Sequence, residues 1–373
     1  MRCDHCTLAA VMACVLLAAC HSETEVNLEN PQVKAYLDQA DYDVNDYSYC
    51  WVQDYEFDSL SYRRDQPAPV ILRWESKERD SILTVTVSRD RAMNDVVQKR
   101  EIAGFTSAYY VWNLIPGYKY YYKVESLSRV LAKGHFVTTG RRRMIYANSV
   151  HNVRDLGGLV TDDGRMLAYG KIYRGGRLTR EAENNPEEDP TKPIVMIAPE
   201  DIRIFHDELN IRGEFDFRRN KELGYHDTIP ENDIDFSPLG DDATFYNYQL
   251  GSLGGFQDDA DDYCDMLRNI LKHLRKGEAV YLHCKSGADR TGAASFLLEA
   301  LAGATENELV HDYELTTFST YGLRHRDGSA ISTGLPELKA LEGETLSEKA
   351  ATFYLSAGIT AEEIREYRSF MVQ

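Results

Sequence analysis

The feature that most constrains this chain is segment 279–303, where a short apolar run passes through a cysteine-containing loop into a second apolar run. The run AVYL is typical of a buried strand, and AASFLLEALAG, which follows the loop HCKSGADRTG, is typical of a buried helix. A strand, a loop and a helix in this order belong to sheets covered by helices, where ligands bind at the ends of strands. The sequence therefore predicts a ligand site at this loop.

Helical and strand-like segments alternate from about residue 145 onward. GEFDFR and EAVYLHC are apolar strands, and they follow the helix-like segments PEDIRIFHDELN and DDADDYCDMLRNILKHLRKG. The second of these segments carries acidic residues at its start, basic residues near its end, and Gly277 as a candidate C-cap residue. We therefore predict an α/β domain over 145–373, with a mostly parallel central sheet flanked by helices.

The loop itself has the features of an anion cradle. The N-terminus of the following helix presents unpaired N–H groups and partial positive charge. Gly287 allows a tight turn that brings successive N–H groups together, and Arg290 adds a planar fork that grips two oxygens of a phosphate. The expected occupant is therefore a phosphate group.

Cys284 is the candidate nucleophile at the bottom of this cradle. The helix N-terminus and the guanidinium of Arg290 favour its thiolate, which is the reactive form. A thiolate there can attack phosphorus to form a cysteinyl-phosphate, while Arg290 stabilises the equatorial oxygens in the transition state. The alternative interpretation is a structural cysteine buried at a strand end.

HCKSGADRTG resembles the signature H-C-x5-R-[S/T]-G of cysteine-dependent protein tyrosine phosphatases, which include dual-specificity and lipid or inositol phosphatases. The resemblance implies that Thr291 assists the leaving thiolate and that His283 orders the loop and favours the thiolate. It also implies no metal or cofactor. The residues implied to surround the substrate phosphate are Lys285, Ser286, Gly287, Ala288 and Arg290. A pseudophosphatase that binds phosphate without turnover is the competing class.

Three further stretches resemble the bacterial branch of this family: NVRDLGG at 152–158, LAYGKIYRGGRLTR at 167–180 and FDFRRNKE at 215–222. This branch implies phosphorylated protein substrates, on tyrosine, serine or threonine, or inositol phosphate and phosphoinositide substrates. Lipid-active members tend to carry a lysine just before the Asp-Arg of the loop. Here Ala288 occupies that position and Lys285 follows the cysteine instead, so its role in binding a polyanionic substrate stays open.

Three aspartates are candidates for the general acid that protonates the leaving group. IDFSPLGDD resembles the Pro-x-x-Asp segment of dual-specificity phosphatases and nominates Asp241, with Asp242 beside it. Asp216, in FDFR, matches the aspartate to which the bacterial branch assigns this role. Asp289 lies inside the loop and is expected to contact substrate or to act as an acid at short range.

Residues 48–140 contain several short, alternating, aromatic-rich segments separated by turn signals, which predicts a β-sandwich. The segment NLIPGYKYYYKVES resembles the corner before the sixth strand of a fibronectin type III domain. That resemblance implies that the hydroxyl of Tyr120 hydrogen-bonds to the backbone upstream, and that Trp74 is the large core residue of the opposite sheet. A sandwich of another topology is the alternative. A polar piece near 90–100 has helical periodicity.

The N-terminal segment 1–20 reads as a secretory signal peptide, because TLAAVMACVLLAAC is too short for an ordinary membrane helix. Its end resembles a bacterial lipobox, which implies that Cys20 carries a lipid and anchors an exported cell-envelope lipoprotein, periplasmic or surface-facing. An ordinary signal peptide is the alternative. Residues 21–47 are then a polar, acidic linker, in which PQVKAYLDQA has the pattern of a short helix. Cys50 and Cys264 are expected to be buried small apolar residues.

The net charge of −18 excludes a nucleic-acid surface and a direct contact with an anionic membrane as the protein's main partners. Membrane attachment is therefore expected through the N-terminal lipid only. An anionic substrate must be held by a locally positive site, which the loop around Arg290 provides.

Overall fold

The structure is a computed structural model of the 373-residue chain. It describes residues 24–38, 64–75, 81–181, 194–218, 236–248, 250, 255–326 and 329–373. These residues form two compact units, one from the described parts of 1–28 and 68–140, and the other from those of 29–67 and 141–373. The predicted signal segment with Cys20, and also Cys50, lie outside the described residues.

The first unit consists of two sheets that share one apolar core. Its strands are β1 (Glu25–Asn27), β2 (Val70–Arg73), β3 (Ile82–Ser88), β4 (Val96–Ala103), β5 (Ala108–Val111), β6 (Lys119–Glu125) and β7 (Val130–Thr139). Five strands form a sheet in the order β1-β7-β6-β3-β4, and β2 pairs with β5. Only the β1–β7 pair, among these described strands, is parallel. Alternate residues of β3, Leu83, Val85 and Val87, are buried with Leu72 of β2, as the period of two predicts.

The two side chains predicted to be characteristic of this unit are both buried in its core. Tyr120 is 1% exposed, and its hydroxyl donates to the carbonyl oxygen of Ile115 at 3.3 Å and accepts from the Ile115 N–H at 3.1 Å. Trp74, directly after β2, lies in the same apolar cluster. The predicted backbone contact of Tyr120 is therefore confirmed, whereas the fibronectin type III assignment stays a prediction.

Strand β4 differs from the sequence-based expectation, which assigned helical periodicity to the polar piece near 90–100. It pairs antiparallel with β3 and is the last strand of its sheet. Most of its side chains are exposed or half-buried, and its sequence VVQKREIA carries charges. Charged residues are typical of edge strands, where they mask the alternation of buried positions that marks a central strand.

The second unit contains the predicted central sheet. Its strands are β8 (Arg154–Asp155), β9 (Ile172–Gly175), β10 (Thr179–Glu181), β11 (Ile194–Met196), β12 (Ile211–Asp216), β13 (Thr244–Asn247) and β14 (Ala279–His283). The sheet order is β13-β12-β14-β9-β8, and β10 pairs antiparallel with β11 outside it. The four strands β13, β12, β14 and β9 are parallel, and β8 is antiparallel to β9. A mostly parallel sheet is thus confirmed.

Helices cover both faces of this sheet. They are α1 (Pro31–Leu37), α2 (Pro199–Arg203, continued by a π-helical turn at Ile204–Glu208), α3 (Ala260–Arg275), α4 (Asp289–Ala302), α5 (Glu306–Glu314, continued by a 3₁₀ turn at Leu315–Phe318), α6 (Ser329–Lys339), α7 (Leu346–Ser356) and α8 (Ala361–Met371). Val280 and Leu282 of β14 pack in one apolar cluster, and Ala279 and Tyr281 pack in another.

Of the helices in the described ranges, none is long and apolar enough to cross a membrane.

The predicted linker at 21–47 is wrong over residues 24–38. Strand β1 extends the sheet of the first unit by pairing with β7. Helix α1 belongs to the second unit, where Val33, Tyr36 and Leu37 are buried in a cluster with Met144 and Phe318. Their spacing of three and four residues puts them on one face of the helix. The short helix in PQVKAYLDQA agrees with the sequence-based expectation, but the polar and acidic residues around it gave no sign that one face packs in a core.

Candidate active site

The cysteine loop connects the end of β14 to the start of α4. Cys284 is the residue directly after β14 and is 3% exposed. Helix α4 begins at Asp289, and its N-cap position is Ala288, which makes no side-chain capping bond. The first N–H groups of α4 therefore have no capping side chain, and they remain available to an anion.

Position 287 in the loop accepts only glycine. Its φ is +64°, a conformation that strains residues with a Cβ. A Cβ added there would lie 2.1 Å from the carbonyl oxygen of Gly175 at the end of β9. The loop can therefore pass close to β9 only because this residue lacks a side chain.

The carbonyl oxygens of the loop are held by two side chains from other parts of the unit. Asn152 Nδ2 donates to the carbonyl oxygens of Ser286, at 3.1 Å, and Gly287, at 3.3 Å. Arg174 Nη2 donates to those of Gly287, at 2.8 Å, and Ala288, at 3.1 Å. In a trans peptide the carbonyl and the following N–H point in opposite directions. The N–H groups that follow these carbonyls thus point away from Asn152 and Arg174, as an anion cradle requires.

A buried carboxylate orders these supporting side chains. Asp312 of α5 pairs with Arg174 at 2.5 Å and with Arg154 at 2.7 Å, and Arg154 donates to Asn152 Oδ1 at 2.6 Å. Burial would raise the pKa of Asp312, but the two guanidinium groups hold that pKa well below its usual range. Asp312 is therefore ionised and balances the charge of the two buried guanidinium groups. Asn152, Arg154 and Arg174 lie in the motifs NVRDLGG and LAYGKIYRGGRLTR, which predicted no role for them, and no local pattern marks Asp312.

His283 contacts both the loop and the neighbouring strand. Its Nδ1 lies 3.3 Å from the carbonyl oxygen of Cys284, and its Nε2 donates to Glu214 Oε1 at 2.9 Å. The other oxygen of Glu214 accepts from Ser237 Oγ at 2.5 Å. These hydrogen bonds fix the imidazole beneath the loop, which is the position that the ordering role implied for His283 requires.

Arg290 and Thr291 lie in the first turn of α4. Arg290 is half-buried, and its Nη1 donates to the carbonyl oxygen of Phe217 at 3.2 Å. Thr291 is fully buried, and its hydroxyl has no hydrogen-bond partner among the described residues. That hydroxyl is therefore free to donate to a sulfur atom, the role that the family resemblance implies.

Asp241 lies at the wrong edge of the sheet to act as the acid. Strand β13 runs parallel to β12, so both strands begin at the edge opposite the loop. Asp241 precedes β13, and its neighbour Asp242 pairs at 3.1 Å with Arg212, the second residue of β12. Cys284 follows the strand end that pairs with Asp216. A rise of about 3.3 Å per residue separates Arg212 from Asp216 by roughly 13 Å. The nomination of Asp241 is thereby corrected.

Asp216 lies near the loop but is bound as an ion pair. Arg218 donates to it through Nε, at 2.9 and 2.8 Å, and through Nη2 at 2.5 Å, and its side chain is 3% exposed. Burial would raise the pKa of Asp216, but His283 and Arg218 hold that pKa below its usual range. The Asp216 side chain is 3% exposed and enclosed by Arg218, which leaves little of it for a leaving oxygen to reach, and this geometry argues for a structural role.

Asp289 and Lys285 are the accessible charged residues of the loop. The Asp289 side chain is 35% exposed and accepts from Tyr313 Oη at 3.2 Å and from Arg324. Lys285 is exposed, and its carbonyl oxygen accepts from the Arg177 N–H at 3.3 Å. The structure therefore brings every predicted loop residue to one site, with Asp216 behind it and Asp241 remote from it.

The remaining described cysteine, Cys264 of α3, is buried in the apolar cluster and is a free thiol, as predicted. In the described ranges, His, Cys, Asp and Glu side chains form no group of three or more that could hold a metal ion.

Comparison with known proteins places this site in a family. The model of the tyrosine phosphatase family matches residues 145–333, which include the whole loop and its supporting side chains. A protein of Cupriavidus necator, provisionally named a tyrosine-protein phosphatase, is 24% identical to this chain over 180 residues. The match covers 47% of this chain and 63% of that protein, so the chain spans less than two thirds of the relative's length.

Proposed function

Since this chain belongs to the tyrosine phosphatase family, we propose that it is a phosphomonoester hydrolase. Its substrates are proteins phosphorylated on tyrosine, or on tyrosine and on serine or threonine, and it acts through a cysteinyl-phosphate intermediate. One observation carries the proposal. Cys284 is buried beneath a loop in which Asn152 and Arg174 hold three successive carbonyl oxygens, those of Ser286, Gly287 and Ala288. The N–H groups of this loop then point to the opposite side, where they can donate to the oxygens of a phosphate, and Arg290 in the first turn of α4 is the guanidinium that would bind the same anion.

In the first step, the Sγ of Cys284 attacks phosphorus, and the bond from phosphorus to the leaving oxygen breaks. The loop N–H groups and Arg290 stabilise the charge on the three equatorial oxygens. The leaving oxygen takes a proton from a general acid, which we assign to Asp289. Both Asp289 and Asp216 pair with an arginine, but Asp289 lies in the loop and its side chain is 35% exposed, whereas that of Asp216 is 3% exposed.

In the second step, water attacks the phosphorus of the cysteinyl-phosphate and the sulfur–phosphorus bond breaks. Asp289, now a carboxylate, accepts the proton of the water, which restores the acid and releases inorganic phosphate. The departing thiolate needs a hydrogen-bond donor. The buried hydroxyl of Thr291, which has no partner among the described residues, supports its assignment to this role.

Inositol phosphates or phosphoinositides are the second candidate substrates. The observation that favours them is Lys285, which is exposed directly beside Cys284 and can meet a further phosphate of a polyanion. Phosphotyrosine peptides, phosphoserine peptides and inositol phosphates assayed side by side distinguish the two classes.

The decisive experiment is hydrolysis of p-nitrophenyl phosphate by the wild type and by Cys284→Ser. We expect the variant to lose turnover and to retain phosphate-analogue binding, because serine stays protonated where cysteine ionises. Cys264→Ser is the matched control, since it alters a buried thiol outside the loop, and it should retain activity. Phosphopeptide binding by a wild type that releases no nitrophenol would instead identify a pseudophosphatase.

We also propose that the protein is an exported bacterial lipoprotein anchored to the cell envelope through Cys20, and that its first unit is a fibronectin type III-like domain. The lipobox-like sequence before Cys20 supports the anchor, and the backbone contact of Tyr120 supports the domain. Cys20→Ala should move the protein from the membrane to the soluble fraction. Continued membrane fractionation would count against the anchor.

A further inference from the structure

We propose that Asp65 is a positioning residue of the proposed phosphatase site. It acts by fixing Asn152, whose side chain holds carbonyl oxygens of the loop at 283–292 (the phosphate loop). Asp65 precedes β2 of the first unit in the chain, but it belongs to the second unit. It also lies outside residues 145–333, which match the family model. The inference rests on the proposed function, because it adds to that site a residue from outside the family match.

The side chain of Asp65 contacts the backbone of Asn152 directly. Its Oδ2 accepts the Asn152 N–H at 2.6 Å. Asp65 is 1% exposed, and Asn152 is fully buried. A buried backbone N–H that loses its acceptor destabilises the structure by about as much as a lost hydrogen bond. Asp65 therefore helps to fix the position of the Asn152 backbone.

Asn152 has a backbone conformation that needs such support. Its φ is +63°, in the left-handed region that residues with a Cβ rarely adopt, although asparagine enters it more readily than most. A residue in this region keeps its conformation only where the surrounding structure imposes it. The hydrogen bond to Asp65 is one such restraint, and it acts on the backbone of Asn152 rather than on its amide side chain.

The amide of Asn152 carries the effect of Asp65 to the phosphate loop. Its Nδ2 donates to the carbonyl oxygens of Ser286, at 3.1 Å, and Gly287, at 3.3 Å. A backbone shift at Asn152 moves Nδ2 relative to both carbonyl oxygens, and the N–H groups on the other side of the loop move with them. A displacement of about 1 Å in an active site can lower the rate by about 10²-fold. Asp65 thus acts on the site without touching the substrate.

Glu29 provides a matched comparison in the same N-terminal part of the chain. It is buried, and its Oε1 accepts the N–H groups of Arg141, at 3.0 Å, and Arg142, at 2.9 Å. Like Asp65, it therefore binds backbone N–H groups of the second unit through a carboxyl oxygen. The side chains of Arg141 and Arg142 pair with Glu308. The two hydrogen bonds of Glu29 thus support the fold at a place other than the phosphate loop.

The test measures hydrolysis of p-nitrophenyl phosphate by variants of the full chain. We expect Asp65→Ala to lower kcat by about tenfold, because the loop N–H groups lose the alignment that stabilises the transition state. Asp65→Asn keeps an oxygen that can accept the N–H, so its kcat should stay within about threefold of the wild type. Glu29→Ala is the matched control and should stay within about twofold. Urea unfolding verifies that each variant is folded under the assay conditions.

A double-mutant cycle shows whether Asp65 acts through Asn152. Asn152→Ala removes the amide that holds the loop, so adding Asp65→Ala should lower kcat by less than about twofold further. Losses that multiply overturn the inference. Equal losses in Asp65→Ala and Glu29→Ala also overturn it, because they would reflect a general effect on the fold. If Asp65→Ala does not fold, Asp65→Ser replaces it in both experiments, since the serine hydroxyl is too short to reach the Asn152 N–H.

Binding of inorganic phosphate separates this inference from the proposed function. A wild type that binds phosphate but hydrolyses no phosphomonoester refutes the proposed function. A Kd for phosphate that rises by about tenfold in Asp65→Ala, and recovers in Asp65→Asn, then still supports the positioning role. An unchanged Kd in a folded Asp65→Ala overturns that role, whatever the activity of the wild type. A wild type that neither binds nor hydrolyses phosphate compounds overturns both proposals.

Discussion

The carboxylate of Asp289 accepts two hydrogen bonds from the guanidinium of Arg324, from Nε at 2.8 Å and from Nη2 at 3.0 Å. Arg324 is itself held by Thr317, whose Oγ1 accepts from the Arg324 N–H at 2.9 Å and donates to its carbonyl oxygen at 2.7 Å. The hydrogen bond with Asp289 raises the pKa of Arg324 against the opposing effect of burial. The pair therefore orients the one carboxylate that lies in the phosphate loop.

Asp289→Asn tests the general acid. We expect turnover of substrates with poor leaving groups, such as serine phosphates, to fall by about 10²- to 10⁴-fold, because no proton is supplied to the leaving oxygen. Activated aryl phosphates need little protonation and should be affected far less. Steady-state kinetics across a series of leaving groups checks this expectation.

The matched controls are the two other candidates. Asp241→Asn should leave the leaving-group series unchanged, because Asp241 lies at the opposite edge of the sheet. Asp216→Asn should lower the free energy of unfolding by about 3–5 kcal/mol, because it leaves Arg218 buried and without its ion pair. A leaving-group dependence that appears in Asp216→Asn and not in Asp289→Asn would reverse the assignment.

Arg324→Met tests the positioning of Asp289. Without the two hydrogen bonds the carboxylate can rotate away from the leaving oxygen, so we expect kcat for poor leaving groups to fall by about tenfold with little change for aryl phosphates. Arg324→Lys should restore part of the loss, because it retains the charge without the fork. Equal losses for both substrate classes would show that Arg324 acts on the fold rather than on the acid.

Gly287→Ala tests the passage of the loop past β9. We expect a loss of about 2–4 kcal/mol in the free energy of unfolding and of most of the activity, since the new Cβ meets the carbonyl oxygen of Gly175. Gly164→Ala is the matched control: its φ is +81°, and no atom lies within 4 Å of an added Cβ. It should cost about 1 kcal/mol through backbone strain alone and preserve activity. Chemical unfolding and nitrophenol release measure both quantities, and equal effects would remove the steric explanation.

His311 gives the second unit a pH-dependent stability. Burial and the nearby Arg142 lower the pKa of His311 to about 4, whereas an unfolded histidine has a pKa of about 6.5. Between these values the unfolded state binds more protons than the folded state. Stability is therefore complete above about pH 6.5 and falls as the pH decreases toward about 4, by roughly 3 kcal/mol.

His311→Gln should flatten this part of the stability profile, measured by urea unfolding across the pH range. His135→Gln is the control, because His135 is an exposed strand residue of the first unit. A wild-type slope that persists in His311→Gln would assign the acid sensitivity to other groups, such as Glu308, whose carboxylate pairs with the buried Arg142.

Features that depend on neighbouring residues in the chain could be predicted from the sequence. The strand, loop and helix around Cys284 follow from apolar runs and a glycine, and Arg290 and Thr291 are placed by the loop that connects them. Tyr120 contacts a residue five positions away. The mostly parallel sheet follows from alternating helices and strands. In each case the interaction that decides the structure joins residues close in sequence, so the local sequence pattern is enough to predict it.

Only the tertiary structure decided which distant side chains meet the loop. Asn152 and Arg174 reach it across more than a hundred residues of sequence, and Asp312 orders them through Arg154 and Arg174. Asp241 is removed from the loop by the direction of β13. Parallel pairing sends the end of each strand to one edge and its start to the other. A residue's distance from Cys284 is therefore set by strand order and register. Those depend on how apolar faces pack together, and no local motif specifies that packing.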